Sequence, residues 1–171
     1  MTARTIPPED KLWSFAVRLY GRPGVAAACL GLQEDHAIDV PLLLFAAWAG
    51  SERALTTIQA EQASRAVSPW HTEIVFPLRA LRQRLKSGPQ PAPSAASDRL
   101  REAIKAVELD SERLELAQLA AICADWPRST PGVGASLLAM FEAQARNRPD
   151  APAAAHLAVI EVEAEAVRCA A

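Results

Sequence analysis

Residues 40–50 read VPLLLFAAWAG and carry no charged side chain. A helix drawn through this stretch has apolar residues on every side, and such a helix has to be buried on most of its surface. Eleven residues of α-helix rise only about 16 Å, which is roughly half the hydrocarbon thickness of a bilayer. The stretch therefore predicts a buried helix at the centre of a globular core. Asp39 is its expected N-cap, and Pro41 is tolerated in its first turn.

Length and charge exclude several classes of protein. The chain has 171 residues, of which 50% are apolar, and a chain of this length buries roughly 70% of its unfolded surface, enough for one core. Its 18 basic and 20 acidic residues give a net charge of -2, which argues against a polybasic nucleic-acid binder. We expect no nucleic-acid partner and no membrane span. The initial stretch MTARTIPPEDKLW lacks the apolar segment of a secretory signal and indicates a cytoplasmic protein.

Hydrophobic residues recur with helical period in almost every long segment, and no segment alternates as a strand would. We predict an all-α protein, a single compact helical domain of six to eight helices over residues 1–171. Helices are expected at residues 8–20, 24–36, from Asp39 onward, 57–67, 69–86 (with Ser68 as cap), 97–125, 133–145 and 152–169. Residues 8–86 would supply the core helices, residues 87–97 (SGPQPAPSAAS) a Pro/Ser/Ala linker, and residues 98–171 the helices that pack on the core.

Small residues line the second predicted helix, at Ala26, Ala27, Ala28 and Gly31. They allow a neighbouring helix to approach so closely that one added methylene group would be felt. The three cysteines, Cys29, Cys123 and Cys169, are an odd number in separate predicted helices with apolar neighbours. They are expected to be small apolar fillers and not a disulfide framework.

The predicted helix at residues 69–86 combines an apolar stripe with a basic face. The stripe consists of Trp70, Ile74, Leu78, Leu81 and Leu85, and Pro77 should kink the helix by removing one backbone hydrogen bond. Arg79 and Arg82 are three residues apart, so they share a face and together could bind a carboxylate or phosphate. The candidate residues for an anion or partner site are Arg79, Arg82, His71, Trp70 and Gln33.

Internal pairing is the other interpretation of these arginines. Residues 97–125 carry four basic against seven acidic groups, and Glu108, Asp110, Glu112 or Glu115 could accept hydrogen bonds from the basic helix. The two interpretations differ in their consequences. A structural role predicts that Arg79→Ala lowers the melting temperature, whereas an anion site predicts that its loss leaves folding intact.

Evidence for catalysis or metal binding is weak. Asp35, His36 and Asp39 could offer ligands to a divalent metal, but adjacent helical residues point apart, and a polar helix end is the favoured interpretation. Gly132-Val133-Gly134 precedes a predicted helix but lacks the third glycine and the strand of a phosphate-binding loop. HExxH, CxxC, Walker A and GxSxG are all absent from the sequence. We predict no catalytic residue, no metal and no cofactor.

A family resemblance rests on residues 10–86. Its most specific parts are the runs YGRPGV (residues 20–25) and CLGLQ (residues 29–33), followed by Trp48, Trp70 and the run PLR (residues 77–79). These resemble the DUF2390 family of proteobacterial proteins of unknown function. In that family, glycine and asparagine are common at the positions of Ala37 and Asp39. The resemblance implies a small all-helical protein and brings no assigned reaction.

We therefore expect a cytoplasmic helical protein that acts as a non-enzymatic interaction or accessory protein with a protein partner. The groove beside Pro77 is the expected contact surface. The alternative is a small-molecule binder or an enzyme that acts on an anionic metabolite through Arg79 and Arg82. An interaction surface predicts an exposed apolar patch larger than about 400 Å².

Overall fold

The computed structural model describes residues 8–127, 129–130 and 132–170, and these residues form helices, turns and connecting segments without a strand. The predicted all-α class is confirmed. The elements are α1 (Pro8–Tyr20), α2 (Val25–His36), α3 (Val40–Glu52), α4 (Thr57–Trp70), a π-helical turn (His71–Val75), α5 (Phe76–Arg84), α6 (Ala95–Cys123), α7 (Val133–Ala145) and α8 (Ala151–Cys169). Within the described ranges, no helix has the length and apolar character to cross a membrane.

The chain forms two compact units. Unit 1 contains the described residues up to Ala66 and from Leu116 onward, and unit 2 comprises Val67–Glu115. In unit 1 the apolar helix α3 lies at the centre, as predicted, with ten of its thirteen residues buried. It packs against α1, α2, α7 and α8. The predicted core included the helix at residues 69–86, but α5 belongs to unit 2, and α7 and α8 complete the core of unit 1.

Small residues allow two close helix contacts in unit 1. Along α2, Gly31 lies directly against the imidazole of His156 on α8, so the close approach predicted from the small residues is confirmed. Along α3, the Cα atom of Gly50 faces the backbone of Val133 on α7. The carbonyl of Gly50 also accepts a hydrogen bond of 2.9 Å from the N–H of Gly132. We call this second contact the α3–α7 joint.

Unit 2 departs from helical regularity just before Pro77. Proline has no N–H to donate, and its ring crowds the carbonyl four residues earlier. The preceding turn widens instead, because the N–H of Phe76 donates to the carbonyl of His71, five residues back, which is the spacing of a π-helix. The irregularity expected at Pro77 therefore takes the form of a π-helical turn.

Two predicted helix starts are wrong. The expected start at Ser68 and Pro69 lies inside α4, which continues to Trp70. The expected start at Ser97 lies inside α6, which begins at Ala95 with Ser94 before it. The hydroxyl of Ser94 accepts from Ser97 N–H at 3.2 Å, and the hydroxyl of Ser97 accepts from Ser94 N–H at 2.8 Å. This reciprocal pair satisfies two backbone donors in the manner of a capping box.

The segment between α5 and α6 contains turns. Gly88 has a φ of 92°, a conformation that favours glycine, and the N–H of Ala92 donates to the carbonyl of Pro89 at 2.9 Å. Ala92 is buried within this segment. The role of residues 87–97 as a linker stays a prediction.

A candidate interaction surface on the helical hairpin

The π-helical turn and α5 run antiparallel to α6, and we call this pair of helices the hairpin. Its direction follows from the ion pairs, since residues later in α5 meet residues earlier in α6. His71 pairs with Glu115, whereas Arg82 pairs with Glu108. Ten residues, 85–94, connect α5 to α6.

Four charged side chains hold the hairpin together. The Nε of Arg79 donates to Glu108 at 3.0 Å, and its Nη2 donates to Glu112 at 2.6 Å. Arg82 donates to both carboxylate oxygens of Glu108, with its Nη2 3.2 Å from Oε1. Arg79 and Glu108 are buried, so their charges meet in a region of reduced solvent screening. The two arginines thus bind carboxylates of their own chain.

The electrostatics of this charge network favour the ionised forms. Burial by itself would raise the pKa of Glu108, but hydrogen bonds from Arg82 and Arg79 outweigh that effect and hold the pKa below its ordinary value. Burial would likewise lower the pKa of Arg79, but the hydrogen bond with Glu108 and the charge of Glu112 raise it. Arg79 and Glu108 are therefore both charged at neutral pH.

The other two candidate residues of unit 2 also face α6. The Nδ1 of His71 lies 3.7 Å from a carboxylate oxygen of Glu115, whose side chain is fully buried. The indole Nε1 of Trp70 donates to the carbonyl of Ser111 at 3.0 Å. Four of the five candidate residues thus have their partners on α6. Gln33 is half-buried on α2 of unit 1.

Exposed apolar side chains occupy an adjacent side of the hairpin. Leu78 precedes Arg79 by one residue, as Val107 precedes Glu108, and one residue turns an α-helix by about 100°. Arg79 and Glu108 face each other across the hairpin. Because both helices are right-handed and run antiparallel, the residue before each of them points to the same side of the hairpin. Leu78 and Val107 therefore lie on one side. Ile74 and Leu81 are four and three residues from Leu78, so they lie on the same face of their helix. Leu100 and Leu114 are each seven residues, about two helical turns, from Val107 and share its face of α6.

We call this set the hairpin face, and it consists of Ile74, Leu78, Leu81, Leu100, Val107 and Leu114. Leu78 is half-buried, and the other five side chains are 38% to 60% exposed. The stripe at residues 70–85 had the pattern of a core-facing surface, but Ile74 and Leu81 remain exposed in the structure. The face lies beside Pro77, where the sequence predicted a contact surface.

The weak metal candidates lie in unit 1 and have different partners. His36 pairs with Asp150 at 3.6 Å, and its ring also makes an edge contact with Phe141. Asp39 is the N-cap residue of α3, as predicted, but its side chain makes no capping hydrogen bond, and its N–H donates to Gln144. Asp35 is exposed. Within the described part of the chain, these three residues do not form a group at ligand distance.

Two further candidates have structural surroundings. Burial raises the pKa of the Cys29 thiol to about 12, so the thiol is protonated at neutral pH and is a poor nucleophile. All three cysteines are free; Cys29 and Cys123 are buried, as expected of apolar fillers, whereas Cys169 is exposed and the prediction is wrong for this residue. At the start of α7, a Cβ on Gly134 would collide with the carboxylate of Glu161, so a side chain of unit 1 lies beside this turn.

Sequence reasoning missed two features. It gave no role to Leu100, Val107 and Leu114, although their seven-residue spacing is typical of a seam between helices. It also assigned no role to Arg53, which is buried and donates through Nη1 to the carbonyls of Cys123 and Trp126, near the end of α6. Only the fold reveals that contact, because 70 residues separate Arg53 from Cys123.

Comparison with known proteins identifies one family. The family model described as "Protein of unknown function (DUF2390)" matches residues 11–119, more than half of the chain. No curated protein and no solved structure matches. The match begins within α1, covers α2 to α5 and extends along α6 to Leu119.

Proposed function

The chain belongs to the DUF2390 family, whose description assigns no activity, and we propose that it is a non-enzymatic interaction or accessory protein of the cytoplasm. Its contact surface is the hairpin face, and its partner is a protein. This proposal adopts the interaction function expected from the sequence and gives it a location.

One observation carries the proposal. The hairpin face presents apolar side chains from two helices, and the described residues leave five of them substantially exposed. Contiguous apolar surface on a monomer is costly in water and marks sites where another molecule binds. Single exposed apolar residues, such as Ile58 on α4, carry no such meaning.

The anionic-metabolite alternative receives less support. The donors of Arg79 and Arg82 that an anion would use already bind Glu108 and Glu112. An incoming anion would have to separate these pairs and would meet the negative charge of both carboxylates. Arg79 is also only 7% exposed. Internal pairing therefore fits these contacts better than a ligand site.

Site-specific photocrosslinking tests the proposal in the full chain. A benzophenone amino acid at Leu81 or Val107 samples the hairpin face, whereas the same group at Ile58 or Val162 samples apolar positions in unit 1 that are even more exposed. We expect one protein adduct that is common to positions 81 and 107 and absent from the two controls. Absence of any adduct from the face, or the same adduct from all four positions, would refute the proposal.

A substitution at the face provides a second measurement. Val107→Glu places a carboxylate on the surface where the partner would bury apolar area, and this should abolish crosslinking from position 81. Ile58→Glu is the matched control and should leave crosslinking unchanged. Circular dichroism and thermal unfolding establish that both variants are folded.

A further inference from the structure

We propose that the occupant of the hairpin face is a second copy of the same chain, related by a two-fold axis so that the two hairpins pack antiparallel as four helices. The inference rests on the proposed function, because it names the partner of the same surface. Two observations carry it: the spacing of the apolar residues, and the distribution of the charged groups that border them.

The apolar residues have the spacing of a helix–helix seam. On α6, Leu100, Val107 and Leu114 recur every seven residues, and Ala103 provides a small exposed position between the first two. Large and small residues that alternate in this way interdigitate when two helices pack. On the other helix, Leu78 and Leu81 continue the same side of the hairpin. When two such hairpins pack through these sides, the apolar residues form the core of a four-helix bundle.

Charges on α6 are self-complementary. Arg99 and Asp110 are exposed, and no ion pair within the described ranges engages either of them. They are eleven residues apart, which is about 16 Å along one face of the helix. When two copies of α6 lie antiparallel about a midpoint between Ile104 and Lys105, Arg99 of each protomer lies beside Asp110 of the other. The same register brings Val107 next to Ala103 of the partner.

The charges also select the orientation of the pair. Arg84, Lys86 and Arg99 lie at the end of the hairpin where the chain turns, and Glu73 and Asp110 lie toward the open end. A two-fold axis parallel to the helices would bring the two basic ends together, and like charges in contact are unfavourable. An axis perpendicular to the helices places each basic end against an acidic end. Only the antiparallel arrangement is electrostatically complementary.

Sedimentation equilibrium and native mass spectrometry of the full chain provide the first test. We expect a dimer that dissociates on dilution. Val107→Glu should raise the dissociation constant at least about a hundredfold, because a carboxylate would be buried at the seam. Ile58→Glu should leave it unchanged. A wild-type chain that is monomeric at concentrations up to about 1 mM would overturn the proposal.

A charge exchange tests the antiparallel arrangement itself. Arg99→Asp and Asp110→Arg should each weaken the homodimer, because each places like charges in contact twice. When the two variants are mixed, both contacts become attractive, so the heterodimer should exceed either homodimer by at least about tenfold in association constant. A statistical mixture of dimers would overturn the antiparallel register. Neither residue contributes to the charge network inside the hairpin, so folding should be retained.

The crosslinks distinguish failure of this inference from failure of the proposed function. Adducts from positions 81 and 107 that contain two copies of the chain support both. A monomeric chain whose hairpin face crosslinks to a different protein overturns self-association and leaves the proposed function standing. A monomeric chain without adducts refutes both.

Discussion

The α3–α7 joint and the hairpin bring two helices together in opposite ways. At the joint, Gly50 carries no side chain, so the backbones of α3 and α7 touch, and the N–H of Gly132 donates to the carbonyl of Gly50 at 2.9 Å. In the hairpin, long side chains bridge the helices through hydrogen bonds between Arg79 and the carboxylates of Glu108 and Glu112. The first contact requires that Gly50 has no side chain, and the second requires long charged side chains that span the gap between the helices.

This difference determines where apolar surface is left uncovered. Close packing in unit 1 buries α3 on nearly all sides. In unit 2, the charged groups occupy the side between the helices, and the hairpin face remains exposed. A pair of helices that contact each other through charges has little apolar surface buried between them, and two helices alone are marginally stable. We therefore expect that substitutions which add side-chain volume destabilise unit 1 more than unit 2. Substitutions that remove a charge should destabilise unit 2 more than unit 1.

The largest expected effect is that of Gly50→Ala in unit 1. Its Cβ would lie 2.9 Å from the Cα of Val133, so backbone has to move. We expect a loss of about 3 kcal/mol in the free energy of unfolding, measured by urea denaturation. Gly21→Ala is the control, because its Cβ would meet only ordinary contacts at 3.5 Å and beyond. Equal effects for the two variants would show that the joint tolerates added volume and would remove the contrast with the hairpin.

Arg79→Ala should produce the next largest effect, confined to unit 2. It leaves Glu108 with the hydrogen bonds of Arg82 and removes the hydrogen bond from Arg79 to Glu112, and we expect a loss of about 2 kcal/mol in the free energy of unfolding. Hydrogen exchange should accelerate in residues of α5 and the first half of α6 more than in α3. Arg65→Ala, which removes an exposed pair with Glu61, is the control and should change stability by less than about 0.5 kcal/mol.

Unchanged stability of Arg79→Ala would contradict a structural role for the network. That outcome, combined with a rise in melting temperature on addition of phosphate or a dicarboxylate, would favour the anion-site interpretation. A drop in melting temperature with no response to these anions would favour internal pairing.

As the pH falls, unit 2 should lose stability before unit 1. The loss of stability should be smaller than that caused by Arg79→Ala. The pKa of Glu108 is below its ordinary value in the folded chain, so its ionised form contributes stability that is present above that ordinary value, about 4.3. The contribution is lost as the pH falls from there through the lowered pKa. Hydrogen exchange of α5 between pH 5 and pH 3 measures it. Glu108→Gln cannot titrate, so the extra acid sensitivity of α5 relative to α3 should disappear in this variant.

The smallest expected effect is an increase in the stability of unit 1. Ala37 ends α2 with a φ of 53°, a left-handed conformation that is unfavourable for residues with a Cβ atom. Ala37→Gly should therefore raise the free energy of unfolding by about 0.5 to 1 kcal/mol. Ala27→Gly, in the interior of the same helix, is the matched control and should lower it. A decrease for Ala37→Gly would contradict strain at this turn.

Much of the fold was predictable from local patterns. The bounds of α1 and α7 agree with the sequence analysis, and the apolar stretch at residues 40–50 correctly predicted the central helix. The family resemblance placed glycine where Ala37 stands, and the structure has a left-handed residue there. These features depend on neighbours within a few residues, because helical period, capping and turn preference are local properties.

Local rules failed where two neighbouring residues compete for the same role, and where burial depends on other helices. Ser94 and Ser97 are both good cap residues, and the reciprocal hydrogen bonds that favour Ser94 became visible only in the structure. Pro69 resembled a first-turn proline, but α4 runs through it into the π-helical turn. The stripe at Ile74 and Leu81 had the period of a buried face, and period alone does not say whether another helix covers that face.

The sequence alone established that this protein is all-helical, that residues 40–50 form a buried helix, and that Arg79 and Arg82 share one face of a helix. Tertiary structure decided which carboxylates these arginines bind, which glycine permits two backbones to touch, and which apolar stripe remains exposed. The physical reason is the range of the interactions. Helical period and capping act between residues on adjacent turns, whereas burial and ion pairing depend on helices that the fold brings together from distant parts of the chain.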